Sequence, residues 1–578
     1  MFFWLLLFLS VVSGILAHSD HEGFMSFVTL PDVWAPRYNV QHHDRDRVSP
    51  GYWFVAPYGR QIPKNKTTGL QPFHVGPHIY DKDGTLIWTG SDLFGNLNAY
   101  DFRVNHQDGE NPYLSWIVEK SEDAPRGRAV ILNQSYELQS ELIAPEELEE
   151  FDIHEFRILP GGKTALACAH WPKELSLADL GRPSEKSFFA AAGFYEFDLT
   201  TGEKLTWWDS SAPGNIALHE SVKLDADSAP EESPGHDYVH INSVDKDSSG
   251  DYLVSMRFTN TIYLVSGTDG TIKWRLGGRV SDFEQDFTFS KQHDARFLES
   301  SGDSYIISFL NNASDDKENA EDASSALIVE LTAGSSPKTA RVIHRYNRPD
   351  SRLSRLRGNA QQLPNKNMFV SWSDNGYISE FSPEGDNLME AKFLTTGFYN
   401  YRAYKFEFVG RPSEPPAIVA SVGAVGKNDL ATTIHVSWNG ATDIDSWNFY
   451  AQDGENNPPY LIGSTKKTNF ETVHTVRGHF DWISVEPLDR DGIALGKSQI
   501  SRSTSHLDSD SGPNRAQSEN SPGAGGPKLV SGMSDTFKAF SSFVLVLGSL
   551  SVILVGLRWL TPRVWPRIYE CIYHTRRR

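Results

Sequence analysis

The sequence predicts an all-β protein: a six-bladed β-propeller, then a small fibronectin- or immunoglobulin-like β-sandwich, then a single transmembrane helix. Three observations predict it. Six stretches repeat one strand–turn–strand pattern, the pattern changes after about residue 415 around two tryptophans, and a long apolar run lies near the C-terminus. A repeat of this length sets the architecture before any single residue is weighed.

The clearest copies are HEFRILPGGKTALACAH from His154, HINSVDKDSSGDYLVSMRF from His240 and HDARFLESSGDSYIISFLN from His293. Weaker copies begin at Tyr100, Gly358 and Arg402. Each copy is followed by a hairpin with a turn glycine and often a tryptophan, as in GPHIYDKDGTLIW and TIYLVSGTDGTIKWRLGG. The spacing fits one four-stranded unit per repeat. Six units over residues 73–414 read as a propeller, and residues 18–72 as a segment leading into it. A stack of two sandwiches accounts for the sixfold repeat less well. A closed array of blades leaves few free strand edges, which suits a large chain with only two cysteines, Cys168 and Cys571. Cys168 lies in an apolar stretch and reads as core.

Residues 415–500 alternate around Trp438 and Trp447 and read as a fibronectin type III-like sandwich, because no cysteine pair is present. Residues 501–536 are rich in Ser, Gly, Pro, Asn and Asp and read as a stalk. Residues 537–557 read as a transmembrane helix and 558–578 as a basic cytoplasmic tail, oriented by the positive-inside bias. Residues 1–17 read as a signal peptide. The expected topology is single-pass, type I, in the secretory pathway or at the cell surface. The triplets at Asn65, Asn133 and Asn312 are glycosylation acceptors by sequence. A net charge of −20 disfavours nucleic acid, which needs a basic footprint.

In a propeller the equivalent positions Tyr100, His154, His240, His293, Gly358 and Arg402 converge on the axis. Three imidazoles, a phenol and a guanidinium there can hold an anion, serve as acid and base, or bind a metal. Asp294 and Glu155 are expected to alternate away, so no metal site and no cofactor are assigned. The Asp245–Asp251 loop has some look of a calcium loop, but turn chemistry accounts for its Asp and Gly.

The segment DYVHINSVDKDSSGDYLVSMRFTNTIYLVSGTDGTIKWRLGG, followed by FTFSKQHDARFL, resembles the arylsulfotransferase family, and more closely its fungal membrane-anchored branch. The H-x-N-S at His240, the S-x-R ending at Arg257, the W-x-L-G at Trp274 and the Q-H-D-A-R ending at Arg296 carry the resemblance. It implies a six-bladed propeller that moves a sulfuryl group between aryl sulfates and phenols without a nucleotide donor. It implies His240 and His293 as the catalytic histidines. Arg257, His154, Tyr100 and Arg402 are then substrate-binding. The family's nucleophile comes from the fifth blade, and here no histidine lies between His344 and His435. The family's arginine-bearing segment after the fourth-blade strand is replaced by LNNASDDKEN. An enzyme acting on aryl sulfates and phenols is therefore the leading expectation. A non-catalytic, membrane-anchored propeller for protein or glycan recognition is the alternative.

Overall fold

The structure is a computed structural model that describes residues 23–505, apart from 60–71, 106–111, 123, 146–147, 149–150, 316 and 427–428. The expected signal peptide, most of the stalk, the transmembrane helix, the tail and Asn65 lie outside the described residues. The described residues are all-β: strands in mainly antiparallel sheets, with two 3-10 turns at Ala178–Leu180 and Leu218–Glu220. No helix among them is long and apolar enough to cross a membrane.

Six sheets follow one another along the chain, each a meander of at least four strands. Their leading strands are Ala99–Asn105, Phe156–Ile158, Ile241–Lys246, His293–Ser301, Asn359–Gln362 and Phe398–Phe406. These are the starts of the six sequence repeats. The sheets touch their neighbours near the leading strands, and the sixth leading strand lies against the first, which closes a circuit.

Closure has two seams, both made by the N-terminal segment. Tyr52–Gly59 pairs antiparallel with Phe398–Phe406, from Phe398↔Gly59 to Phe406↔Tyr52. Tyr38–His42 adds an outer strand to the fifth sheet through Asn387–Phe393. Residues that read as a lead-in thus supply strands to the fifth and sixth sheets.

Each pair of neighbouring sheets encloses its own apolar core. Phe54, Trp88, Phe102 and Trp116 fill the space between the sixth and first sheets. Ile117, Phe156 and Tyr195 fill the next, and Phe194, Val254 and Tyr263 the one between the second and third. Leu264, Trp274 and Phe309 lie between the third and fourth sheets. Leu310, Val370 and Trp372 lie between the fourth and fifth, and Trp53, Tyr80, Phe369 and Leu388 between the fifth and sixth. Strands covered on both faces show continuous apolar runs instead of alternation, and Tyr252–Met256 and Thr261–Val265 are buried throughout. Cys168 is one of these core residues.

Residues 417–505 form two further four-stranded sheets. Ala420, Ile434 and Val436 of one pack against Trp447, Phe449, Ile483 and Val485 of the other. Ser501–Arg502 and Thr504–Ser505, which the composition assigned to the stalk, are edge strands of these sheets. The pair docks on the sixth sheet through Asn439, whose amide both donates to Thr89 O and accepts from Thr89 N at 2.9 Å.

Candidate functional site

The repeat positions do meet, but at two levels separated by a change in backbone direction. Pairing registers slip between Tyr100 and Arg103, Ile241 and Ser243, His293 and Arg296, and Asn400 and Ala403. Asp101, His240 and Asp294 take left-handed φ values of 57°, 54° and 58°. Bulges of this kind re-aim side chains that a regular pleat would alternate.

The lower level is a closed ion cluster. Arg402 Nη1 lies 2.8 Å from Asp101 Oδ1 and 3.2 Å from Glu155 Oε2, its Nε is 3.2 Å from Asp294 Oδ1, and Nη2 donates to Asn242 O at 2.7 Å. Arg103 reaches Asp101 and Glu155 at 2.5 and 3.0 Å, and Arg296 reaches Glu155 and Asp294 at 2.6 Å each. Three guanidiniums face three carboxylates, so the formal charges cancel. Burial alone would raise the Glu155 pKa; the charges of Arg296, Arg402 and Arg103 outweigh it and bring it down to about 2.

This corrects two expectations. Asp294 and Glu155 meet Arg402, a repeat-position residue, instead of alternating away. Arg402 is buried, with its guanidinium facing Asp101, Glu155, Asp294 and the Asn242 carbonyl, a placement that favours a structural role over the expected substrate contact.

The upper level holds the histidines. His154 and His170 share one carboxylate: Asp152 Oδ1 is 2.9 Å from His154 Nδ1, and Asp152 Oδ2 is 2.7 Å from His170 Nδ1. His240 Nδ1 is 2.5 Å from Asp237 Oδ2. The rings of His154 and His240 are 5.0 Å apart, those of His154 and His170 5.9 Å, and those of His170 and His240 6.0 Å. In each imidazole a carboxylate lies at Nδ1, which favours the tautomer with its lone pair on Nε2.

Local structure explains how these side chains arrive. His170 rides on Thr164–Leu177, the first arm of a long hairpin whose second arm is Arg182–Asp198. His236–Asp237 pairs parallel with that second arm at Phe189 and Ala190, and so fixes Asp237 beside His240. Burial drives His240 down to about 4, only partly opposed by Asp237, so its imidazole is neutral at neutral pH. Its side chain keeps 25% of its surface open.

His293 is more enclosed. Its Nδ1 lies 2.8 Å from Asn312 Oδ1 and 3.0 Å from Lys291 O, and its Nε2 accepts the Arg357 N–H at 3.3 Å. Burial, reinforced by Arg257, holds it well below the usual histidine pKa. Asn312 is fully buried and its Nδ2 donates to Ser354 O and Arg357 O. A glycan has no room there, so Asn312 is a partner of His293 instead of an acceptor. Asn133 is partly exposed in a surface turn, where its Nδ2 bonds Glu137.

Cations gather around Phe258, whose ring lies 4.8 Å from that of His240. Lys223 Nζ is 3.7 Å from the Phe258 centroid, Arg257 Cζ 4.8 Å and Lys291 Nζ 5.7 Å. Burial lowers the Lys223 pKa, and the charges of Arg257 and Lys291 lower it further. Lys291 is also paired with Asp315 at 3.2 Å, so Lys223 and Arg257 carry the part of the field that favours an anion. Nearby, Tyr100 packs on Tyr58 at 4.9 Å, and Arg357 lies over Tyr399 and Tyr58 at 4.9 and 5.2 Å. Tyr401 meets the His154 ring edge-on at 5.4 Å.

The sequence reading found Tyr100, His154, His240, His293 and Arg257 and missed His170, Asp152, Asp237, Lys223 and Lys291. His170 closes the very repeat that starts at His154, and Asp237 stands three residues before His240, so both were in view. The expectation of no metal-binding set also changes: ligand atoms of His170, Asp237 and His240 lie within 4.8 Å of one another. The Asp245–Asp251 loop behaves as a turn. Asp247 accepts from Ser249 N and Asp251 N, and Asp251 pairs with Lys273.

Residues 127–394 match the family model described as Arylsulfotransferase (ASST). This segment belongs to the arylsulfotransferase family. The arylsulfotransferase match contains His154, His170, His240, Arg257 and His293, and leaves out Tyr100 and Arg402. No curated protein matches the chain. Among solved structures, a protein of unknown function from Bacteroides caccae is 14% identical over 62% of this chain and 99% of its own, with a TM-score of 0.34. The GH43 BlXynB protein from Bacillus licheniformis is 9% identical over 70% of this chain and 88% of its own, with a TM-score of 0.26. At such scores neither structure carries an argument.

Proposed function

We propose that the circuit of six sheets is a six-bladed propeller whose upper axial end transfers a sulfuryl group from an aryl sulfate to a phenol. The single observation that carries this reading is the Asp237–His240 pair beside the cations around Phe258. A neutral imidazole held at Nδ1 by a carboxylate is a nucleophile at Nε2. Lys223 and Arg257 supply the positive field that a sulfate ester and its transition state need. The tyrosines around Tyr58 and Tyr100 offer an aromatic wall for the aryl group.

In the first half-reaction His240 Nε2 attacks sulfur. An N–S bond forms, the S–O bond to the aryl group breaks, and the phenolate leaves with that electron pair. In the second half the acceptor oxygen forms a new S–O bond as the N–S bond breaks and returns its pair to Nε2. The phenolic proton passes to His154, which its bond to Asp152 prepares as a base, and from there neutralises the released phenolate. His293, with both ring nitrogens bonded to protein groups, holds the Arg357 backbone beside the site instead of contacting the sulfate itself. The family's fifth-blade nucleophile has no counterpart here, and Gly358 stands at that slot.

The C-terminal pair of sheets is fibronectin-like in this reading. The membrane anchor, the secretory or cell-surface location and the fungal-branch placement rest on the sequence alone. The test is release of phenol from a chromogenic aryl sulfate, with and without a phenol acceptor. Acceptor-dependent turnover that disappears in His240→Ala supports the reading, and turnover unchanged by that substitution refutes it.

A further inference from the structure

We propose that His154, His170, His240 and Asp237 form a binding site for one divalent transition-metal ion of the zinc class. Four observations converge on it. Ligand atoms of His170, Asp237 and His240 already lie within 4.8 Å of one another. With metal–nitrogen bonds of about 2.1 Å, donors on a tetrahedral ion lie about 3.4 Å apart, so side-chain adjustments of about 1 Å close these three, and His154, outside that distance, swings in as the fourth donor.

The imidazoles fit as well. Three rings on one tetrahedral ion have centroids about 5 Å apart, and here the separations are 5.0, 5.9 and 6.0 Å. The supporting carboxylates are also in place. Histidines that bind metals commonly give the other ring N–H to a carboxylate. Asp152 does this for His154 and His170, while Asp237, as a ligand, exchanges its bond to His240 Nδ1 for the ion. Finally, Asp237 Oδ1 is buried with no hydrogen-bond partner among the described residues. An orphaned carboxylate oxygen beside three imidazoles lacks a cation more than it lacks a proton donor.

The donor chemistry selects the ion. Imidazole nitrogens with one carboxylate suit zinc, cobalt, nickel or copper, whereas magnesium and calcium take oxygen donors. The site stands independently of sulfuryl transfer. Where both hold, the ion takes the His240–Asp237 pair that transfer uses, so metal and sulfuryl group exclude each other.

Titration of the chelator-treated full-length protein with cobalt(II) tests the site. One equivalent with the intense visible bands of a four- or five-coordinate ion is expected, displaced by zinc. His170→Ala removes those bands. Asp152→Asn, which keeps every ligand, weakens binding by about 10–100-fold. His344→Ala, remote and exposed, leaves binding intact and controls for handling. Circular dichroism checks that each variant folds. Absence of a bound equivalent in the wild type, or binding in Asp152→Asn and His170→Ala equal to wild type, overturns the site. Transfer is assayed in the same stripped samples. Cobalt binding without transfer sinks only the transfer reading, and transfer without cobalt binding sinks only the metal site.

Discussion

Asp237 Oδ2 stands 2.5 Å from His240 Nδ1, and the two residues reach that distance by different routes. His240 begins the third leading strand in a left-handed conformation, while Asp237 is held by a parallel bridge to the long hairpin of the second sheet. The carboxylate fixes the tautomer on which nucleophilic attack depends. Asp237→Asn, which keeps the shape and removes the charge, should lower kcat for aryl sulfate turnover by about 10²-fold or more with little change in KM. Steady-state kinetics of the variant check this.

The cations around Phe258 act on binding. Lys223→Ala removes the ammonium at 3.7 Å from the ring without touching either histidine. The expected result is a rise in KM for the aryl sulfate of about 10-fold, the effect of one charge-assisted contact. Added inorganic sulfate should inhibit the variant correspondingly less.

Arg402 carries the lower cluster. Replacing it with Met leaves Asp101, Glu155 and Asp294 buried with two cations for three anions. Breaking a buried ion group in this way costs about 3–5 kcal/mol. Urea denaturation of Arg402→Met should show that loss. If Arg402 instead served substrate, the variant would keep its stability and lose only turnover.

His78 sets a pH dependence far from the site. It is fully buried, with Nδ1 2.9 Å from Gly76 O, and burial takes its pKa down to about 4 from about 6.5 in an unfolded chain. Below pH 6.5 the unfolded chain takes up a proton that folded His78 refuses until about pH 4. Stability is therefore complete above pH 6.5 and falls as pH drops between those values, by about 2 kcal/mol at pH 5. Urea midpoints of wild type and His78→Gln between pH 7 and 5 check this, with the shallower decline expected in the variant.

Much of this fold is readable because each sheet is built from a local pattern. Strand, turn and strand recur, and the aligned positions Tyr100, His154, His240, His293 and Gly358 fall at or near the start of a leading strand, with Arg402 in the middle of the sixth. Closure is not readable. Pairing between Tyr52–Gly59 and Phe398–Phe406 joins residues more than three hundred positions apart, and neither strand carries a mark of its partner. The lower cluster escapes for another reason. Alternation assigns Asp294 and Glu155 away from the axis, and it fails where bulges interrupt the period of two. Within the site, His240 and His293 were legible from their motifs. Asp237 and His170 depend on a hairpin and a parallel bridge that only the folded chain brings together.

The most direct measurement is the site of sulfuryl attachment. Chelator-treated protein is mixed with an aryl sulfate and no acceptor, quenched at alkaline pH, and analysed by peptide mass spectrometry. The account predicts one added SO3 group on His240, lost when a phenol is supplied and absent in His240→Ala. Phenol release with no protein adduct, or an adduct on any other residue that persists in His240→Ala, would contradict it.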